Sequence, residues 1–446
     1  MTKVSKTSEK EIQTTTEPKL SRRNFFKKTA IYSAGAIAAA NVLAPVKVKA
    51  DDPAIINEAP WGQKLGDLVN ENPYGLPSPF EHNNIRRTHP IFSSGDYYAS
   101  VSMCPIHESE GIVTPNGLFF TRNHGGTAHV DPKEWRLMIC GDQVEKDIVL
   151  TLDDLKRYPS ESRIYFIECP ANGAPEWRGP QFNSLQFQKG LMSAAEWTGV
   201  MLKTVLEDVG LKKDAVWMLA EGSDNASNPR SIPVEKALDD VMIVWGQNGE
   251  ALRPEQGYPV RLIVPGWEGN LNTKWLRRLE ISDKPWHSKE ETSKYTMVQP
   301  GGKAIRFFWV NEVNSVITSP CPEKPWTHLK KGDMVEVEGI AWSGHGTITG
   351  VDISLDGGDN WIEASLKGLV LPKSWTRFSY VMKWDGKPLL LASRSRDDFG
   401  NIQPTIDEET SAVGVESVYH RNAIVTWEIN KKGECNNVQI RKHKKA

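Results

Sequence analysis

Three stretches of the chain carry residue types that could do chemistry. Residues 165–179 read YFIECPANGAPEWRG. Tyr165, Phe166, Ile167 and Glu168 have strand-forming character and deliver Cys169 to a Pro-Ala-Asn-Gly turn. A cysteine placed where a strand stops can point its thiolate into a cleft. A thiolate is soft and suits soft or high-valent thiophilic metals. A lone cysteine cannot hold zinc or an iron–sulfur cluster, so such a metal would take other ligands from an organic cofactor. The plain alternative is a small buried hydrophobe, the usual fate of an unpaired cysteine.

The second stretch, LFFTRNHGG at 118–126, sets Arg122, Asn123 and His124 at a strand end before two glycines. Glycine lets the backbone approach a ligand closely. Arg and His side by side could clamp an anion, or they could form a solvated strand terminus. The third stretch, YPVRLIVPGWEGNLNTKWLRR at 258–278, carries Arg261 on an apolar strand and leads through a Gly-rich loop to Lys274. A cation on a buried strand needs a partner. Phosphate or a pterin edge would serve, and so would an internal ion pair with Glu250 or Glu255. No Ser-His-Asp arrangement, Walker A loop or Rossmann fingerprint stands out.

The elements that must position these residues divide into two textures. Residues 118–122, 135–140, 164–168 and 258–264 read as strands, and residues 152–157 and 199–209 have helical spacing. This predicts a mixed α/β domain running to about residue 300. From about 305, short alternating runs at 334–339, 350–355 and 377–383 are separated by Gly, Asp and Pro turns, and helical patterns nearly vanish. That is how a small antiparallel sandwich reads.

At 446 residues the chain exceeds what one core normally supports. The formal charge of -2 hides an asymmetry: residues 1–50 hold 10 Lys/Arg against 3 Asp/Glu, leaving 44 against 53 for the remainder. A body that acidic makes nucleic acid a poor partner. The five cysteines, at 104, 140, 169, 321 and 435, form no CxxC pair, and no CxxCH is present for covalent haem. The odd count leaves at least one thiol free, and a Cys104–Cys140 pairing stays open.

The amino terminus reads as an address. Arg22-Arg23 followed by Phe25-Phe26 matches a twin-arginine export signal, and residues 29–46 form an uncharged run. The run is too weakly apolar to be a stable anchor. Residues 1–50 are therefore expected to be a signal peptide, with export of the folded protein to the periplasm and no membrane anchor.

Together the three stretches resemble the sulfite oxidase family of molybdopterin enzymes. An F-x-R-N-H strand, a single cysteine ending a strand and a PVR…VPG…KWLRR segment occur in the same order at 120–124, 169 and 259–278, and SLDGG…W follows at 354–361. The phrases ECPANG, RPEQGYP, VPGWEGN and EETSKYT look most like the sulfane-dehydrogenase branch of periplasmic sulfur oxidation. The resemblance implies an α+β fold. A mixed α/β molybdopterin-binding domain at 51–300 would precede an immunoglobulin-like β-sandwich dimerisation domain at 305–446.

It also implies roles. Cys169 would bind molybdenum beside the pterin dithiolene. Phe120, Thr121, Arg122, Asn123 and His124 would wrap the cofactor, with Arg122 reaching toward an oxyanion. Asp224, Gln256, Arg261, Asn272, Thr273 and Lys274 would hold the pterin and its phosphate. Three positions depart from animal sulfite oxidases. Ala171-Asn172-Gly173-Ala174 replaces AGNRR after the cysteine, the active-site tyrosine falls on Trp245, and a pterin-contacting histidine becomes Gln256. These changes suit a substrate other than free sulfite, or another arginine such as Arg178 filling in. The implied reaction is a two-electron oxidation with oxygen-atom transfer, acting on sulfite or on sulfane sulfur held by a carrier protein. Without haem in the chain, a c-type cytochrome subunit would accept the electrons, and the sandwich would form a homodimer. A sulfoxide reductase and a metal-free periplasmic binding protein are the alternatives.

Overall fold

The structure, a computed structural model, describes residues 63, 65, 73–88 and 100–441. The expected export segment lies outside them. Among the described residues no helix is long and apolar enough to cross a membrane, and all five cysteines are unpaired.

The amino-terminal half is built from β-structure with short helices. One sheet runs Glu250–Ala251, Met242–Gln247, Met192–Met201, Ser160–Glu168, with Arg261–Ile263 also pairing on Met242–Gln247. A second runs Ile148–Leu150, Leu137–Cys140, Leu276–Ser282, Trp217–Gly222, Arg230–Pro233. Only its Leu137–Cys140 and Leu276–Ser282 pair is parallel among the described pairs. A small three-stranded sheet, Arg87–Thr88, Val101–Met103 and Thr121–Arg122, delivers Arg122. Helix Leu202–Val209 buries Leu202, Val205, Leu206 and Val209, the i, i+3, i+4, i+7 stripe expected of it.

The carboxy-terminal half is a sandwich. Asn314–Ser319, Met334–Trp342, Thr376–Lys383 and Ser365–Lys367 form one sheet; Ile362–Glu363, Ile348–Ser354, Leu389–Asp397, Thr426–Ile429 and Cys435–Val438 form the other. The described residues from 73 to 441 make one compact unit. Its largest apolar core is continuous, joining Phe166, Met192 and Trp197 to Trp342, Phe378 and Trp427.

Three elements differ from expectation. The helix predicted from residue 199 starts at Leu202, because Gly199 to Met201 complete the strand Met192–Met201. The strand predicted at 118–122 shrinks to Thr121–Arg122 behind a 3₁₀ turn, Asn116–Leu118. Phe119 and Phe120 are both buried, which an alternating strand cannot arrange with one face exposed. The sandwich half also holds a helix, Ile406–Val413, opened by a Thr405/Glu408 capping box.

Gly199 sits opposite Val244. A Cβ there would lie 2.1 Å from the Ile243 carbonyl oxygen and 2.6 Å from Val244 Cα. Gly199→Ala is expected to destabilise the protein by about 2–4 kcal/mol in urea titration. Gly117→Ala, where nothing lies within 4 Å, should change stability by no more than about 0.5 kcal/mol.

Candidate active site

The strand Ser160–Glu168 pairs in unbroken antiparallel register with Met192–Met201, ending at Glu168 opposite Met192. The pairing carries one step further, with the Cys169 N–H donating to the Leu191 carbonyl at 3.0 Å. The chain then turns, and Asn172 N–H closes back on the Cys169 carbonyl at 2.9 Å. Asn172 holds the turn with its side chain: Oδ1 accepts from Leu191 N at 3.1 Å and Nδ2 donates to Glu168 Oε1 at 2.9 Å. Glu168 Oε2 accepts from the Trp342 indole at 2.7 Å. Gly269 lies against this turn, where a Cβ would come within 3.3 Å of Cys169 Cα. Burial pushes the Cys169 thiol up to about 11, against the pull of the Ala171 N–H and of Arg122.

Cys169 opens onto a cavity walled by cations. Arg122 Nη1 donates to its neighbour's carbonyl, Asn123 O, at 2.8 Å, and Nη2 lies 3.4 Å from His124 Nδ1. Arg261 is 2 % exposed. It donates to Gln256 O at 3.1 Å and Asn272 O at 3.0 Å, while its Nε has no partner. Its guanidinium lies 5.1 Å from the centre of the Trp197 ring. Desolvation pulls its pKa down to about 9. Lys274 donates to Asn123 Oδ1 at 2.7 Å and to Glu255 O at 2.8 Å. Burial, and then Arg261, hold its pKa well below the usual lysine value. Among the described residues neither Arg261 nor Lys274 forms an ion pair, and Asp224 is the one carboxylate lining the cavity. Burial raises the Asp224 pKa against backbone N–H groups of its own turn.

Of the residues singled out from sequence, the cavity wall brings together Phe120, Arg122, Asn123, His124, Cys169, Asp224, Gln256, Arg261, Asn272, Thr273 and Lys274. Three others lie outside that wall. Thr121 is buried in its strand, opposite Ser102. Trp245 sits at a bulge between Val244 and Gly246 and packs against the second apolar core. Arg178 ends the 3₁₀ turn Ala174–Arg178 with its side chain at the surface.

The wall also contains residues that sequence reasoning passed over, including Asn228, Asn270, Trp275 and Tyr295. A signal for Tyr295 lay within EETSKYT, quoted for its resemblance but assigned no role. Ser227, Asn228, Trp275 and Tyr295 are four of the nine non-glycine residues with positive φ among those described. Left-handed backbone at a tryptophan and a tyrosine is uncommon and concentrates at functional sites.

The residues fit a molybdopterin. Among the described residues no group of three or more His, Cys, Asp or Glu side chains could hold a metal ion. A metal at Cys169 therefore needs donors from an organic ligand. Arg261 and Lys274, buried or partly buried and satisfied by carbonyls and an amide, retain charge for an anionic group such as a phosphate.

The comparisons agree with this geometry. Residues 124–290 match the oxidoreductase molybdopterin binding domain, and residues 306–427 match the Mo-co oxidoreductase dimerisation domain. Mitochondrial sulfite oxidase of Rattus norvegicus is 30% identical over 372 residues, covering 76% of this chain and 67% of the relative. The Mus musculus enzyme is also 30% identical, and the chain spans only 58% of its length. The chain belongs to the sulfite oxidase family of molybdopterin oxidoreductases. Within that family it is similar to the sulfane dehydrogenase SoxCD from Paracoccus pantotrophus. The crystal structure of that protein superposes with a TM-score of 0.85 at 46% identity, covering 87% of this chain and 99% of that chain.

Two outcomes follow from the site. Trp342→Phe removes a donor from a buried carboxylate, and is expected to cost about 2–3 kcal/mol in chemical unfolding. Trp427→Phe, whose indole donates to the neutral Ile317 carbonyl at 3.0 Å, should cost about 1 kcal/mol. Desolvation, then Arg122, pulls the His124 pKa down from 6.5 to about 3. The unfolded chain thus takes up a proton near pH 6.5 that the folded chain refuses until about pH 3. The associated stability is present above about pH 6.5 and is lost as the pH falls toward 3. His124→Gln should flatten that acid limb, by up to about 1.4 kcal/mol per pH unit.

Proposed function

We propose that the chain is a periplasmic molybdenum-dependent dehydrogenase that oxidises sulfur, as sulfane sulfur on a carrier protein or as sulfite. Electrons pass to a c-type cytochrome subunit. The observation that carries the reading is Cys169, a thiol at a strand end opening onto a cavity with three cations and one carboxylate.

Cys169 is the residue that holds the metal. Gln256, Arg261, Asn272, Thr273 and Lys274 would hold the pterin and its phosphate, with Asp224 in the same wall. Molybdenum–molybdopterin supplies the two-electron oxidation and oxygen-atom transfer when bound. The chain supplies the setting. Arg122 offers a fixed charge to an anionic substrate, and Phe119, Phe120, Ile167 and Trp275 give the cavity an apolar lining. Excluding water there strengthens each charge–charge contact. Among the described residues, Asp224 is the one carboxylate in the lining that faces an incoming oxyanion.

The sulfane reading is supported by the greater identity to SoxCD, 46%, than to the rat sulfite oxidase, 30%. It is also supported by the ECPANG turn, which has no arginine after the cysteine. The absence of a CxxCH sequence supports a separate cytochrome. The Mo-co dimerisation match supports a homodimer built through the sandwich. Arg22-Arg23 supports twin-arginine export, which would carry the cofactor-loaded, folded protein across the membrane.

Purified protein is expected to hold about one molybdenum per chain by elemental analysis. Steady-state reduction of cytochrome c should proceed with sulfur-loaded carrier protein faster than with free sulfite. Cys169→Ser should lower the rate at least about a hundredfold, more than the loss of a residue beyond the ligands. Robust turnover in that variant would contradict the ligand assignment.

A further inference from the structure

The segment Phe307-Phe308-Trp309-Val310 joins the two halves of the chain and leaves four consecutive apolar residues partly exposed. A run of that kind is avoided at a surface unless it binds something. These four residues line a groove of about 550 Å³, together with Ala412 and Val413 of the helix Ile406–Val413. The exposed carboxylates of the lining are Glu312 and Glu408, while Glu409 is buried and paired with Arg421. Among the described residues that line the groove there is no lysine or arginine. It is therefore aromatic and apolar within, with negative charge at its exposed edge.

The groove lies beside the turn that presents Cys169. His420 lines it and donates its backbone N–H to the Pro170 carbonyl at 2.8 Å. A void of about 10 Å³ touches Cys169 and shares Glu312, His420 and Asn422 with the groove. A run of rings leads the same way. Phe308 lies 6.3 Å from Tyr419, which lies 5.5 Å from Tyr295 in the wall of the Cys169 cavity. Phe307 and His420 both hold left-handed backbone, at φ 62° and 56°, a strain that collects at functional sites.

We propose that this groove docks the sulfur-carrier protein by seating an apolar segment that neighbours the carrier's sulfur-bearing cysteine. Lysine or arginine flanking that segment meets Glu312 and Glu408. The inference rests on the proposed oxidation of carrier-held sulfur. A concave, aromatic-lined site of this size takes an inserted segment rather than a flat protein face. Aromatic side chains in such a groove are the anchors that dominate binding. Docking beside the Cys169 turn delivers the sulfur to the cavity already positioned, an advantage that free sulfite cannot use.

The test uses the holoenzyme with Ala412→Trp, which fills the groove from an exposed helix position, and Glu312→Lys, which reverses charge at its edge. The probe is the sulfur-carrier protein of the same organism, its cysteine capped with iodoacetamide so that calorimetry reads binding without turnover. Kinetics with ferricyanide as acceptor then compares sulfur-loaded carrier with sulfite. In Ala412→Trp the Kd for capped carrier and the KM for loaded carrier should rise about tenfold or more. In Glu312→Lys the rise should be about two- to fivefold and shrink at high salt. KM and kcat for sulfite, and molybdenum content, should match the unaltered protein; a disturbed Cys169 turn would move them. Unchanged Kd in both variants overturns the inference. So does a rise confined to the KM for cytochrome c as acceptor, which gives the groove to the electron acceptor. A dimer that becomes a monomer on sedimentation overturns it too, giving the groove to a second copy of the chain. If the unaltered protein oxidises no sulfur compound, the functional reading fails, yet titration with capped carrier still decides what the groove binds.

Discussion

The carboxylate of Glu168, buried beside the cysteine, is the constraint on which the site depends. A buried charge is tolerated only when its oxygens are satisfied. Here one oxygen is satisfied by Asn172, within the cysteine turn itself, and the other by Trp342, at the end of a sandwich strand. Burial raises the pKa of Glu168, and Lys189 opposes that shift. Lys189 in turn donates to the Arg421 carbonyl at 2.9 Å, and His420 N–H donates to the Pro170 carbonyl at 2.8 Å. The turn that presents Cys169 is thus clamped from the carboxy-terminal half at two points, by Trp342 and His420, and Lys189 beside it is held by a third bond. The sandwich is part of the site's foundation, and the continuous apolar core has the same meaning. A molecule lacking that half would leave Glu168 Oε2 and the Lys189 ammonium without these partners.

A second constraint separates structural from functional cations. Arg230 and Arg261 are equally buried, at 1% and 2%. Arg230 faces Glu268 and Glu291 at 3.5 and 3.7 Å and also meets Asn270. Its charge is neutralised within the protein. Among the described residues Arg261 meets only carbonyls, an amide and the face of Trp197. Carbonyl dipoles accept from its two terminal nitrogens without cancelling its charge. Desolvating a cation in this way is costly, and the cost is offset when an anion enters. The same logic applies to Lys274, held by an amide oxygen and a carbonyl. Around Arg230, Glu268 also accepts from His420 at 2.7 Å, so this paired network braces the wall that Arg261 and Lys274 line.

Much of this was legible in the sequence, for physical reasons. Cys169 could be placed because Tyr165 to Glu168 have strand character and Pro170 to Gly173 cannot continue a strand. Arg261 and Lys274 were legible because a cation inside an apolar run is expensive and needs a reason. Trp245 was proposed by matching a position in relatives and Arg178 as a stand-in for a missing arginine, and their placement depends on local backbone. A bulge turns Trp245 toward the second core, and a 3₁₀ turn leaves Arg178 in solvent. Tyr295 carries no periodicity or charge signal, and it reaches the cavity through a left-handed backbone and a hydrogen bond with a histidine 171 positions away. The helix Ile406–Val413 had its capping box in plain view at Thr405 and Glu408. It was masked by the strand pattern surrounding it.

The loop bearing Lys274 explains how so many charged and strained residues stay in place. Gly257, at φ 102°, lies where a Cβ would come 2.9 Å from Lys274 Cα and 3.0 Å from Trp275 N. Only glycine lets the two turns touch. Once in contact they lock: Trp275 Nε1 donates to Pro254 O at 3.1 Å, Lys274 Nζ to Glu255 O at 2.8 Å, and Arg261 Nη1 to Gln256 O at 3.1 Å. Backbone pairs from Leu262 to Thr273 and from Leu276 to Val260 hold the strand to the same loop. The unfavourable φ of 49° at Trp275 is over-determined by these bonds, which is the condition under which strain persists. Gln256, Arg261, Thr273 and Lys274 are thus tied into one hydrogen-bonded unit. Donors fixed in advance need not reorganise when a charged guest arrives, and that rigidity is what the glycine at 257 makes possible.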